Sequence, residues 1–369
     1  MKITAVKSLV VYGPRKQVFG ARYQTALGGW DHSEHGLVFI ETDEGLTGTG
    51  EISNAFKRRG RLLCREVDQL LAPALVGEDP FRIAFLLTRM ETALDGSEVA
   101  KAGLEMALYD IVGKALGTPV YNLLGGRVRD RIQLSYSIPW GPPHKMAEFA
   151  AELKAKGFRT VKVKVGRDAR TDVEAVRRVR EAVGPETRVR VDANMAWRTP
   201  KDAIRTIRAM EPFNPELVEQ PLPPRELDGL AFIRANVGVP IMVDESVFTP
   251  RDAMEVIRRG AADIVNVYVT ESGGLLNASR TFAMCEAAGI PCMIGSMPEF
   301  GIGTAAQIHL GVAMTNLGPD SDTCGVLYHA EDLLAEPLRI ADGFAYPPEG
   351  PGLGITVDMG VVKRWQRQP

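Results

Sequence analysis

Thr160-Val161-Lys162-Val163-Lys164-Val165 alternates valines with lysines. Period two is the signature of a strand, in which both lysines share one face and the valines share the other. Taken alone, such a run marks a solvated strand face. Its neighbours change that reading. Similar short runs occur at Arg131–Tyr136, Arg188–Asp192, Leu217–Glu219, Val239–Asp244, Asp263–Tyr268 and Pro291–Gly295, alternating with longer, charged amphipathic stretches. Measured at their polar ends, the steps are 28 (164 to 192), 27 (192 to 219), 25 (219 to 244), 24 (244 to 268) and 27 (268 to 295) residues. Each step fits one strand and one crossover helix. Right-handed βα units repeated this often make either a closed barrel or an open doubly wound sheet. No Gly-rich dinucleotide fingerprint follows the first run, which favours the barrel.

Upstream the texture differs. Ile3–Val11 and Gly36–Glu41 read as strands, with Asp43-Glu44-Gly45 turning into a return strand. From about residue 60 to 117 the pattern is helical. Leu104, Leu108, Ile111 and Ala115 recur at helical spacing and Gly117 closes the run. The N-terminal third is therefore an α+β unit. The last 40 or so residues, with Pro351-Gly-Leu-Gly354, carry no βα repeat and are expected to return to that unit.

Composition narrows the class. The 369 residues are 45% hydrophobic and 24% charged, as in a globular chain. Forty-four Lys and Arg against 46 Asp and Glu leave a net charge of −2, which argues against nucleic-acid binding by bulk charge. No apolar run approaches the roughly 18 residues of a membrane span, and Met1-Lys2-Ile3-Thr4 lacks a secretory core. A cytoplasmic protein with no membrane partner is expected. Cys64, Cys285, Cys292 and Cys324 form no CxxC pair and read as reduced, buried thiols. His32 and His35 are close in sequence but lack a matching ligand cluster.

Functional groups of a βα barrel lie at the C-terminal ends of its strands. Four successive runs here end in Lys164, Asp192, Glu219 and Asp244. Singly, each acid reads as a helix cap or surface charge. Together, three carboxylates at one barrel mouth repel each other unless a cation sits among them, and oxygen-only ligands suit Mg²⁺, or Mn²⁺. With the valines packed on the outer helices, Lys162 and Lys164 point into the barrel. A partly dried lysine near positive charge has a lowered pKa and acts as a base near neutral pH. A divalent ion on a substrate carboxylate, with a lysine to take the α-proton, is the arrangement of enolase-type sites.

At these residues the chain resembles a known family. Lys162 and Lys164, Asp192-Ala-Asn194, Glu219-Gln-Pro221, Asp244-Glu-Ser246 and Gly273-Gly274-Leu275 are similar to the muconate lactonizing enzyme subgroup of the enolase superfamily. The resemblance implies a modified TIM-type (β/α)7β barrel, residues 126–328, under an α+β capping domain, residues 1–125, with a returning segment, 329–369. It implies Asp192, Glu219 and Asp244 as metal ligands, Lys164 as acid/base and Lys162 as its support. It also implies a small carboxylate substrate and a homo-oligomer.

One departure stands out. The family usually carries a lysine at the sixth strand end, where this chain has Asn266-Val-Tyr268, and Glu271 replaces a second common lysine. Two-lysine racemisation is thereby in doubt. A one-base lyase (dehydratase) or cycloisomerase using Lys164, through an enediolate, is the leading expectation. The alternatives are a racemase or epimerase using Lys164 and Tyr268, and an inactive barrel that only binds a metal and carboxylate. Substrate clues diverge. Lys57-Arg-Arg59 and Arg61 suit a second anion, whereas Glu299, Asp320 and Asp322 suit an amine. Tyr23 and Trp30 are expected to lid the pocket, and Asn194 to touch the substrate.

Overall fold

Branched residues dominate β1 (Ile3–Pro14), as a pleated surface favours. A hairpin of β2 (Tyr23–Thr25) and β3 (Gly28–Trp30) follows, then β4 (His32–Thr42) and β5 (Thr47–Ile52), and β1, β4 and β5 form an antiparallel sheet. The computed structural model describes residues 1–53 and 60–366. β5 lies almost on the backbone of the helix Glu98–Leu116. A Cβ on Gly50 would stand 1.8 Å from the Gly103 carbonyl oxygen, and one on Gly48 would stand 2.0 Å from that of Ala107. Only glycine allows that approach.

The repeat then unfolds as read. After β6 (Ile132–Gln133) come β7 (Ser135–Ile138), β8 (Thr160–Lys164), β9 (Arg188–Asp192), β10 (Val218–Glu219), β11 (Ile241–Val243), β12 (Ile264–Val267) and β13 (Cys292–Ile294). Strands β7 to β13 pair in parallel, each with its sequence neighbours. An irregular segment takes the eighth position. Leu317 bridges Cys292 and Ser321 bridges Leu134, while the Asp322 N–H donates to the Ile294 carbonyl at 2.9 Å. The ring is a modified (β/α)7β barrel under a capping unit. At its N-terminal rim β6 is covered by β14 (Ile340–Ala341) and β15 (Phe344–Ala345).

The valines explain how β8 is held. Val161, Val163 and Val165 are fully buried in one core with Val176, Val179 and Val183 of the helix Ala169–Val183. The lysines are left to face inward. Barrel helices start on side-chain caps: Asp168, Thr199 and Thr249 each accept the backbone N–H three residues on.

Two carboxylates fasten the cap to the barrel. Glu51 accepts the N–H groups of Phe300 and Gly303, both at 2.8 Å, at the start of the helix Gly301–Ala313. Glu105 accepts those of Leu275 (2.7 Å) and Leu276 (2.8 Å) at the start of Leu275–Ala287. Orphan N–H groups and the helix dipole both favour an anion there. Beyond residue 329 the chain runs back to the cap: Asp110 accepts the Leu353 N–H at 2.9 Å, and Gln366 bridges Val11. All four cysteines are free and buried. Among the described residues, no helix is long and apolar enough to cross a membrane.

Candidate active site

Strand ends gather the ionisable groups. Asp192 ends β9, Glu219 ends β10 and Asp244 follows β11, and one oxygen from each lies within 4.8 Å of the others. All three side chains are buried. The backbone around them is strained. Asn194, Met195 and Gln220 hold φ of 40°, 65° and 37°, in the left-handed region that non-glycine residues avoid. Each such residue costs about 1–3 kcal/mol, which the surrounding hydrogen bonds must offset. Gln220 shows how. Its Oε1 accepts the Asp244 N–H at 2.8 Å, and its Nε2 donates to Ser246 Oγ and to the Leu222 carbonyl, both at 2.8 Å.

Both lysines enter this cluster. Lys162 Nζ donates to both Glu219 oxygens (3.2 and 3.1 Å) and to Asp322. Lys164 Nζ donates to Asp192 and, at 3.0 Å, to Asn194 Oδ1. On the facing wall, the Tyr268 hydroxyl donates to Asp244 Oδ2 at 3.0 Å. Gly295 makes room for that ring, since a Cβ there would meet Tyr268 Cζ at 2.3 Å.

The electrostatics follow from crowding. Burial, with the Asp192 charge next, pushes Glu219 well above the usual carboxylate range. Burial and Glu245 do the same to Asp244. Burial and Asp192 raise Glu245 to about 7. Asp192 moves the other way, because the ammonium groups of Lys164 and Lys162 outweigh its burial. The lowering expected for Lys164 belongs to a cation-loaded site; in the cation-free chain the balance is different. Burial acts in that direction, but the adjoining Asp192 carboxylate outweighs it and holds Lys164 above the ordinary lysine value. Lys162 is raised further, its burial outweighed by Asp322 and Glu219.

These residues suit a hard divalent cation. Three carboxylates converge, and Asp244 Oδ1 is buried without a hydrogen-bond partner, as is Oε2 of the adjacent Glu245. Such an oxygen set fits Mg²⁺, and Mn²⁺ equally. Beside it opens a cavity of about 280 Å³. Lys162, Lys164, Asn194, Asp244, Tyr268 and Asp322 all line it, as does Tyr23.

Other expected contacts fall elsewhere. Trp30 is buried opposite Tyr23 in the β2–β3 ladder and is not among the described residues lining the cavity. Glu299 turns away from it: its carboxylate bonds Ser296 Oγ and the Met297 N–H, and burial raises its pKa to about 7. Asp320 lies at the opposite rim, accepting from Thr160 Oγ1 and Arg188, both at 2.6 Å. Asp322 is engaged by Lys162 and Ser135. Lys57 lies outside the described residues. The sequence reading passed over Glu245 and Tyr328, which also line the cavity. Glu245 was findable as the acid directly after Asp244, whereas Tyr328 sits in an irregular stretch with no periodic signal.

Known proteins share this architecture. Residues 11–125 match the family model of the mandelate racemase / muconate lactonizing enzyme N-terminal domain, and 145–361 match the enolase C-terminal domain-like model. The chain is 37% identical over 298 residues to a hydrophobic dipeptide epimerase of Enterococcus faecalis, covering 80% of this chain and 84% of that one. It is 36% identical over 338 residues to muconate cycloisomerase 1 of Rhodococcus opacus, covering 90% of each. Among solved structures, muconate lactonizing enzyme from Pseudomonas fluorescens complexed with muconolactone superimposes with a TM-score of 0.95 at 31% identity, over 99% of each chain. The Enterococcus faecalis dipeptide epimerase complexed with Mg and L-Leu-L-Tyr gives 0.90 at 34% identity, over 96% of this chain and 100% of that one. The chain belongs to the muconate lactonizing enzyme subgroup of the enolase superfamily and is an enzyme of isomerase-like class.

Proposed function

We propose that the protein transfers a proton α to a small substrate carboxylate on one face only, as a syn β-eliminating lyase such as a dehydratase, or as a cycloisomerase. General enolase-type chemistry is common to its relatives, and the one-faced course is our reading of this chain. One observation carries it. Among the described residues lining the cavity, the only amines are Lys162 and Lys164, both from β8, and the facing position holds a phenol that donates to Asp244.

Asp192, Glu219 and Asp244 would hold Mg²⁺ or Mn²⁺. Such a cation, when bound, draws charge from the substrate carboxylate and stabilises the dianion left by the departing α-proton. Lys162, tied to Glu219 and Asp322, neutralises the carboxylate end and fixes the trio. Lys164, oriented by Asp192 and Asn194, takes the proton and returns it to the leaving group on the same side. Tyr23 covers the pocket. We assign residues 1–125 to the cap, 126–328 to the catalytic barrel and 329–369 to the closing segment.

The competing reading is epimerisation by Lys164 and Tyr268, favoured by the epimerases among the relatives. The Tyr268 hydroxyl donates to Asp244 Oδ2 at 3.0 Å, which ties its proton to the acidic trio and disfavours it as the second base. Turnover in D₂O with Mg²⁺ separates the two. Unsaturated or lactone product with deuterium on one face is expected, whereas label in an inverted stereoisomer sinks the one-base assignment.

A further inference from the structure

Arg190 lies inside the barrel. On β9, Val189 and Val191 pack against the outer helices, so Arg190 shares the inward face with Asp192, two residues nearer the mouth. Barrel interiors are commonly filled by branched apolar side chains, and Leu217, Met242, Ile264 and Met293 form such a plug here. Against it the chain places a guanidinium that is 0% exposed, with Nη1 3.4 Å from Met293 Sδ. Burying an ion costs several kcal/mol even after relaxation. Glu216 offsets part of that by accepting from Nε at 2.6 Å, while Nη2 has no hydrogen-bond partner. An apolar residue would fill the same space without that cost, so packing alone does not account for the arginine.

What Arg190 holds is the eighth barrel position. That segment is irregular and keeps few ladder bonds of its own. Arg190 Nη1 donates to the Asp320 carbonyl and reaches Ser135 Oγ at 3.5 Å. Ser135 Oγ in turn donates to Asp322 Oδ1, and the other oxygen of that carboxylate accepts from Lys162. Burial works to raise the Asp322 pKa, but Lys162 and then Arg190 hold it below the usual carboxylate value. Lys162 thus has two anionic claimants, Asp322 on one side and Glu219, at 3.1 and 3.2 Å, on the other. Were Asp322 to turn away, the ammonium would settle on Glu219 and occupy the oxygens that a cation needs.

We propose that Arg190 is a positioning residue: through the Asp320 carbonyl and Ser135 it fixes Asp322 as the counterweight that keeps Lys162 from closing on Glu219. The proposal rests on the reading of Asp192, Glu219 and Asp244 as ligands of a divalent cation, and not on which faces of the substrate react. Its sign sets it apart from plain electrostatics. By Coulomb's law alone, deleting a buried cation strengthens the binding of another nearby, whereas releasing Lys162 onto Glu219 weakens it.

The test is calorimetric titration of the intact, chelator-stripped protein with Mg²⁺. Arg190→Met is expected to bind Mg²⁺ about tenfold more weakly than the native protein, the scale of one hydrogen bond to a charged group. Arg190→Lys, which keeps the charge without the fork, recovers part of the loss. Asp322→Asn weakens binding by a similar factor, and adding Arg190→Met to it changes nothing more, because both act through Asp322. A merely structural arginine would instead add its loss to that of Asp322→Asn. Unchanged or tighter Mg²⁺ binding by Arg190→Met overturns the proposal, as do additive losses in the double variant. Should Arg190→Met fail to fold, Ser135→Ala takes its place, with weaker binding expected and an unchanged affinity counting against the proposal. A native protein that takes up no Mg²⁺ refutes the cation reading and the proposal with it, an outcome visible before any variant is made.

Discussion

At the scale of single residues, Tyr268 is where this chain departs furthest from what its motifs resemble. Its hydroxyl occupies Asp244 Oδ2, while Oδ1 is buried without a hydrogen-bond partner. A hydrogen bond to a charged group contributes about 1.5–3 kcal/mol. Tyr268→Phe is therefore expected to weaken Mg²⁺ binding about tenfold in a calorimetric titration while the fold is kept. An unchanged affinity would deny Tyr268 any hold on the acidic trio. The converging acids and Lys164 were legible in the sequence because they stand at strand ends, which face the mouth, and Lys162 because period two puts it on the face of Lys164. Glu299 and Asp320 were misplaced because they sit in irregular stretches where no period fixes direction. The direction of the Lys164 shift in the cation-free chain depends on Asp192, a strand away, and not on local sequence.

At the scale of elements, the helix Gly301–Ala313 joins three parts of the chain. Its first turn rests on Glu51 of the cap, and farther along His309 Nε2 donates to the Leu353 carbonyl at 3.1 Å. Burial pushes the His309 pKa down to about 4 from an ordinary 6.5. Between those values the unfolded chain binds a proton that the folded one refuses, so stability falls as pH drops through that window. The loss is at most roughly 3 kcal/mol. Urea denaturation of native protein and His309→Gln between pH 4 and 7 checks this. The variant should show the shallower pH slope, and identical slopes would rule His309 out. The βα repeat made these helices visible in advance. The eighth barrel position was not, because it keeps only a few ladder bonds around Leu317, Ser321 and Asp322, and irregular backbone leaves no periodic trace.

At the scale of the whole molecule, the acidic trio is a store of repulsion only partly relieved by two lysines. Mg²⁺ that binds the folded chain alone, at a hundred times its Kd, stabilises it by about 2.7 kcal/mol. Heating with Mg²⁺ and again after chelation should therefore give melting temperatures a few degrees apart, the loaded form higher. Superimposable transitions would argue against a cation among these acids. The fold class was legible because the repeat runs without a break from residue 131 to 295. The seating of the cap was not, since Glu51 and Glu105 give no sign in sequence of whose helices they serve.

That seating has a kinetic corollary. Two barrel helices begin on carboxyl groups belonging to another layer, so swinging the cap aside would strip both helix starts of their hydrogen-bond acceptors at once. The two layers are then expected to move together, tied at both helix starts.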